Sequence, residues 1–233
     1  MAIVLPRPEE KARSVRAMFD RIAPDYDRLN GFLTLRLDRR WRRLAMDEAR
    51  LLPGQLLVDV ACGTGDFLAL AAERRIRAVG IDFSSGMLDA ARRRGTGPLV
   101  RGDALSMPLA TRCADAITCG FALRNFTAIP PVLRESARVL RPGGRLVLLE
   151  VATPVNPLLR LGHALWFRRV VPLLGALLSE RAAYEYLPES TVYLPPAVEL
   201  LEQVRAAGFA DVERRVLGLG AVQIVSATRG GRA

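Results

Sequence analysis

The sequence predicts an α/β protein with a mostly parallel sheet and helices on both faces. Three observations carry that expectation. From 54 to 152 short β-rich runs alternate with helical runs, the pattern of successive strand–helix–strand units. GRLVLLEVA (144–152) is almost continuously apolar, as a strand covered on both faces must be. VDVACGTGDF (58–67) sets two glycines between the first strand and its helix, where an open α/β sheet holds ligand.

Residues 8–50 read as helical, with turn signals near Pro24 and at Asn30-Gly31. QLLVDVA (55–61) is the first strand and 65–75 its helix. RAVGID (77–82) and 85–94 form the next pair. PLVRGD (98–103) is a third strand, ADAITCG (114–120) a fourth, and 129–140 a helix. Pro142-Gly143-Gly144 makes a turn before the strand at 144–152. An apolar insertion punctuated by Pro and Arg covers 153–190. A helix at 196–207 ends at Gly208, and ADVERRVLG and AVQIVSATR form two strands joined near Gly218–Gly220, a hairpin at the sheet edge. The chain therefore reads as one domain: a helical lid (1–50), a core (54–152), an apolar cap (153–190) and a C-terminal helix with its hairpin (191–229).

Its 233 residues, half apolar and a quarter charged, suit a soluble globular domain with a sizeable core. No secretory signal or membrane span is evident, since Arg160, His163, Arg168, Arg169 and Pro172 break the longest apolar stretch. Three cysteines with no CxxC pair and a single histidine argue against structural zinc and a disulfide framework, so no metal is expected and a cytoplasmic location is. The net charge of +10 is almost all arginine, Lys11 being the one lysine. The arginines are scattered, without an aromatic RNA-binding motif or a dense basic run, so nucleic acid is not an expected partner.

Gly63 and Gly65 permit a tight turn and close backbone approach to a ligand. The dinucleotide fingerprint wants a third glycine where Leu68 stands, and the Gly-Lys-Ser/Thr of a triphosphate loop is missing. Asp82, closing the second strand, can accept both hydroxyls of a ribose. Asp103-Ala104, closing the third, lie where an adenine edge would. Adenosine recognition without a phosphate cradle points to S-adenosylmethionine.

These segments resemble a class I S-adenosylmethionine-dependent methyltransferase, and more narrowly the menaquinone and ubiquinone biosynthesis C-methyltransferase family. MFDRIAPDYDRLN (18–30), VDVACGTGD, GDALSMPL (102–109), FALRNF (121–126), RVLRPGGRLVLLE (138–150) and YEYLPES (184–190) carry the likeness over nearly the whole chain. The resemblance implies a Rossmann-like seven-stranded sheet with its last strand antiparallel, and a polyprenylated quinol as substrate. It implies cofactor contacts at Thr64, Asp82, Asp103 and Ala104, with Asp59, Gly63 and Gly65 in the same loop. A further contact, usually serine, falls on Gly120, which leaves only backbone. GFLTLRLDRRW (31–41) departs from the family pattern, and a tyrosine pair of the family falls on His163 and Trp166.

Methylation of a quinol ring carbon needs alignment with the sulfonium methyl, a stabilised phenolate and exclusion of water. Arg124, past the fourth strand, is the candidate to stabilise the oxyanion, Asn125 to position a ring oxygen and Tyr26 to touch substrate. The alternative for Arg124 is an ion pair with Asp27 or Glu189 that clamps the lid. His163 is more simply a packed residue than a base. The cap offers an apolar tunnel for an isoprenoid tail, with Arg160, Arg168 and Arg169 facing an anionic membrane surface; a homodimer is a further expectation. A benzoquinol acceptor, an RNA methyltransferase and a non-catalytic relative are the competing readings.

Overall fold

The computed structural model describes residues 8–165 and 190–231. Seven strands form one sheet, β1 (Leu56–Val60), β2 (Arg77–Asp82), β3 (Leu99–Arg101), β4 (Ala114–Gly120), β5 (Leu140–Val151), β6 (Phe209–Leu217) and β7 (Val222–Arg229), in the order β3-β2-β1-β4-β5-β7-β6. β7 runs antiparallel to both β5 and β6, and the ladders from β3 to β5 are parallel. The edge hairpin is thus folded back on itself: β7 slots in beside β5, and β6, with its polar residues, takes the exposed edge.

Alternation along the strands feeds two cores. Leu57, Ala116, Val147 and Leu149 point to one face, against α3 (Leu37–Glu48) and α4 (Asp66–Glu73). Val58, Ile117, Leu146 and Leu148 point to the other, against α6 (Ile129–Val139) and the C-terminal helix α8 (Ala197–Ala206). α5 (Ser85–Arg93) joins β2 to β3, and its N-cap Ser84 accepts from the Met87 amide at 3.1 Å. α7 (Pro157–Leu165) follows β5. Strand order reverses between β1 and β4, which places a crevice at their carboxyl ends.

Two local expectations fail for physical reasons. Asn30-Gly31 lies inside α2 (Tyr26–Leu33), where Asn30 donates to Asp38 at 3.2 Å; the chain instead turns at Leu35-Arg36, both left-handed, with φ of 51° and 60°. Pro142-Gly143-Gly144 is not a break before β5 but an irregularity within it, where register shifts between the Ala114 and Ala116 pairings. Gly144 is required there, because a Cβ would sit 2.9 Å from the Arg141 carbonyl. Most of the 153–190 cap, including Trp166, Arg168, Arg169 and Glu189, lies outside the described residues. Among the described residues no helix is long and apolar enough to cross a membrane.

Candidate active site

The loop after β1 is built around Asp82. Its Oδ2 accepts from the Gly63 amide and its Oδ1 from the Ser84 amide, each at 2.8 Å, so one carboxylate at the end of β2 anchors the glycine loop and the start of α5. Burial pushes its carboxyl above the ordinary range against the pull of those amides. A carboxylate has about four lone-pair directions, so Asp82 retains acceptor capacity toward the cavity it lines. Gly65 is left-handed (φ 87°), and a Cβ on it would meet Thr96 at 2.5 Å. Ala61, also left-handed at φ 54°, shows that the loop accepts strain to hold its shape.

The cavity at the crevice has a volume of about 130 Å³ and opens to solvent on one side. Gly63, Asp82, Asp103, Ala104, Gly120, Asn125 and Tyr26 all line it, with apolar walls from Ile81, Phe83, Met87 and Leu105. Asp103 Oδ1 is turned to the Leu105 amide at 2.9 Å, which fixes the loop beside Ala104. Gly120 is tight: a Cβ would lie 2.8 Å from Phe67 Cε2.

A smaller neighbouring cavity is lined by Asp59, Thr64, Tyr26, Arg42, Asp66 and Gly120. Asp59 is buried, accepts the Thr118 hydroxyl at 2.7 Å, and has its carboxyl pushed up to about 8 by burial. Thr64 donates to Asp27 Oδ1 at 2.6 Å and accepts from Arg94 at 2.9 Å. Arg94 bridges Asp27 (3.1 Å) and Asp66 (2.9 Å); Arg42 joins Asp66 (3.3 Å) to Asp38 (2.6 Å). This chain of charges bolts α2 and α3 onto the glycine loop.

The first helix, α1 (Pro8–Ile22), closes the cavity with Ala12, Val15, Arg16 and Phe19. Asp20 accepts from Ser84 Oγ (2.6 Å) and the Gly86 amide (2.8 Å), and Gly86 is needed because a Cβ would strike the Asp20 backbone at 2.8 Å. At the other end Lys11, buried, donates to the Arg124 and Phe126 carbonyls at 3.0 and 2.7 Å and sits 3.7 Å from the Tyr193 ring centroid. Tyr26, edge-on to Phe19, faces both cavities, and burial raises its phenol above the usual value.

Arg124 is placed differently from expectation. It lies in the short turn Leu123–Asn125, buried, and its Nη1 donates to Glu150 Oε1 and to the Phe121 carbonyl (3.0 Å), while Nε donates to Ser190 Oγ (3.1 Å). It is not among the residues lining the larger cavity, whereas Asn125 is. Its described carboxylate partner is Glu150 rather than Asp27, which is bound to Arg94 and Thr64; the Glu189 alternative lies outside the described residues.

Sequence reasoning missed Lys11, Asp20, Arg42, Arg94 and Glu150. One signal was available. Glu150 is a lone charge in LVLLEVA at the end of β5, and Arg124 is one in FALRNF just past the end of the neighbouring β4. Two buried charges at one sheet edge call for each other.

A Rossmann-like sheet reversing between β1 and β4, a glycine loop held by an acid on β2, and a lidded cavity together define a class I S-adenosylmethionine-dependent methyltransferase. More narrowly, the chain belongs to the ubiE/COQ5 methyltransferase family, whose model matches residues 7–229. It is 46% identical over 227 residues to the demethylmenaquinone methyltransferase of Roseiflexus sp. (strain RS-1), covering 95% of each chain. It is 41% identical over 224 residues to the ubiquinone/menaquinone biosynthesis C-methyltransferase UbiE of Syntrophotalea carbinolica, covering 93% of this chain and 94% of that one. Among solved structures, the [4+2]-cyclase SpnF superposes with a TM-score of 0.68 at 21% identity, covering 97% of both chains. Haemonchus contortus phosphoethanolamine N-methyltransferase 2, in complex with S-adenosyl-L-methionine, gives 0.60 at 14% identity over 82% of this chain and 52% of that one. These two likenesses speak for the fold.

Proposed function

We propose that this enzyme methylates a ring carbon of a polyprenylated demethylnaphthoquinol, with S-adenosylmethionine as donor. The observation that carries the reading is the juxtaposition in one cavity of a ribose-type acceptor, Asp82, with Tyr26 and Asn125 at the carboxyl ends of β1 and β4, in a chain of this family. In the proposed arrangement Asp82 takes the ribose hydroxyls, Asp103 and Ala104 flank the adenine, and Gly63, Gly65 and Gly120 contribute backbone. Asp59 and Thr64, in the smaller cavity, face the amino-acid end. The cofactor, when bound, supplies an electrophilic methyl on a sulfonium.

The chain's own part is mostly geometric. Tyr26 and Asn125 offer hydrogen bonds to the ring oxygens, so that a quinol hydroxyl can give up its proton while the ring carbon faces the methyl. α1 excludes water. Held by Asp82, Asp103 and the glycine loop, the cofactor would supply the methyl that replaces the ring-carbon hydrogen; the net reaction releases one proton to solvent and leaves both quinol hydroxyls in place. Arg124 acts one step back, holding the turn that aims Asn125. The dual name of the Syntrophotalea relative keeps a benzoquinol acceptor as the second reading.

The test is transfer of labelled methyl to reduced demethylnaphthoquinol and to a demethylated benzoquinol offered side by side. Label on the naphthoquinol alone is expected. Label on the benzoquinol alone moves the assignment to the second reading, and label on neither with cofactor binding intact overturns both.

A further inference from the structure

Two tight loops at the carboxyl edge of the sheet present leucine where solubility would favour glycine or asparagine. Leu35 (φ 51°) is 67% exposed at the α2–α3 corner, and Leu219 (φ 56°) is 78% exposed at the tip of the β6–β7 hairpin. A left-handed leucine costs roughly 1–2 kcal/mol per residue, and an exposed one returns nothing to the core. The hairpin tip packs beside α3 and the chain that follows β5. Trp41 of α3 lies 3.1 Å from the Cβ position of Gly218, and Pro154 lies 2.9 Å from that of Gly220. Phe32 (55%), Leu37 (43%), Val155 (85%) and Leu158 (79%) extend the exposed apolar surface along the same edge.

Arginine outweighs acid on this surface: the groove that holds Arg36, Arg39 and Arg43 also holds Asp27, Asp38 and Asp66, each paired with Arg94 or Arg42, and Glu73. Arg36, Arg39, Arg40 and Arg43 are exposed, and no described carboxylate pairs with them; Asp38, between them in sequence, is buried and spent on Arg42. Arg36, Arg39 and Arg43 line one groove with Phe32. The apolar rim also leads inward. The Trp41 ring packs 6.4 Å from that of Phe121, and Phe121 is a wall of the larger cavity.

We propose that this face, the α2–α3 corner with the Gly218–Gly220 tip and the residues around Val155, docks on an anionic phospholipid bilayer. The leucine tips enter the acyl boundary and the arginines lie among the headgroups. This rests on the reading above that the acceptor carries an isoprenoid tail: such a tail leaves the cavity past Phe121 and Trp41 and remains in the bilayer while the ring reacts.

The experiment is co-sedimentation of the full chain with vesicles of phosphatidylcholine alone or mixed equally with phosphatidylglycerol, for the parent, Leu35→Ser/Leu219→Ser, and Arg36→Gln/Arg39→Gln/Arg40→Gln. The parent is expected to sediment with the anionic vesicles. The leucine pair should lose about a hundredfold in partitioning, at about tenfold per leucine withdrawn from an apolar phase. The arginine variant should lose about fivefold per charge, and only on anionic vesicles. Melting temperatures within a degree or two of the parent confirm that these surface changes leave the fold alone. A parent that ignores anionic vesicles, or a leucine pair that sediments like the parent, overturns the proposal. So does a dimer by light scattering that the leucine pair abolishes while vesicles remain unbound, because the face then covers a second copy of the chain. Turnover of a short-chain, water-soluble naphthoquinol without vesicles separates the two claims. Turnover without vesicle binding overturns the docking alone, and vesicle binding without turnover overturns the acceptor assignment alone.

Discussion

Replacing Arg124 by Met removes the guanidinium from a buried pair and leaves Glu150, 1% exposed, with the Val151 amide as its remaining described partner. Breaking one side of such a pair costs about 3–5 kcal/mol, because an uncompensated charge stays buried. For a chain of this length that corresponds to a fall in melting temperature of roughly 6–20 °C. Replacing both residues, Arg124→Met with Glu150→Leu, removes the orphan charge. It still forfeits the bonds to Ser190 and the Phe121 carbonyl, so at least half of the lost stability should return. Urea or thermal unfolding reads the stability, and steady-state kcat and KM for both substrates read the chemistry. A positioning role predicts that kcat recovers along with stability in the double variant. A stable double variant whose kcat stays as low as that of Arg124→Met would refute the reasoning and return Arg124 to direct contact with the developing oxyanion.

Three further outcomes follow from the same geometry. The buried Asp59 titrates near 8 in the folded protein against 3.8 unfolded, so the unfolded chain loses its proton first and stability falls as pH rises from about 4 to about 8; Asp59→Asn should flatten that slope in melts at pH 5, 7 and 9 and weaken cofactor binding. Lys11 is lowered by burial from 10.5 to about 8, so the closed lid releases a proton and its stability rises between those values; hydrogen exchange of α1 should slow across that window in the parent and be faster and pH-independent in Lys11→Met, once the intrinsic base catalysis of exchange is divided out. Gly120→Ser drives a Cβ to 2.8 Å from Phe67, and overpacking of this kind costs about 1–3 kcal/mol, visible as a lower melting temperature and a higher Kd for the cofactor.

The sheet was legible because its signals are local. The apolar runs at β1, β4 and β5 read as buried strands, and the glycines after β1 mark a turn whose shape only a few residues accept. Asp82 could be placed because it closes β2 at the edge where such sheets bind ligand. What could not be read is pairing across long sequence separations. Lys11 meets the Arg124 carbonyl across 113 residues and Arg94 meets Asp27 across 67, and neither distance has a sequence signature. The turn at Asn30-Gly31 was misjudged because Asn30 finds Asp38 as a side-chain partner within the helical lid, and tertiary contact outweighs turn preference. For Arg124 the sequence supports both an oxyanion contact and an ion pair, but not the identity of the partner, because Glu150 lies in another strand's apolar run.

The central claim is carbon methylation of a naphthoquinol within the Asp82 cavity, and its most direct test uses a donor with a trideuterated methyl and an acceptor deuterated at the ring carbon. Mass spectrometry of the product should show the trideuteromethyl gained and the ring deuterium lost, with both hydroxyls still free. Retention of the ring deuterium with a methyl on oxygen, or no product while Asp82→Ala binds the donor as tightly as the parent, would contradict it.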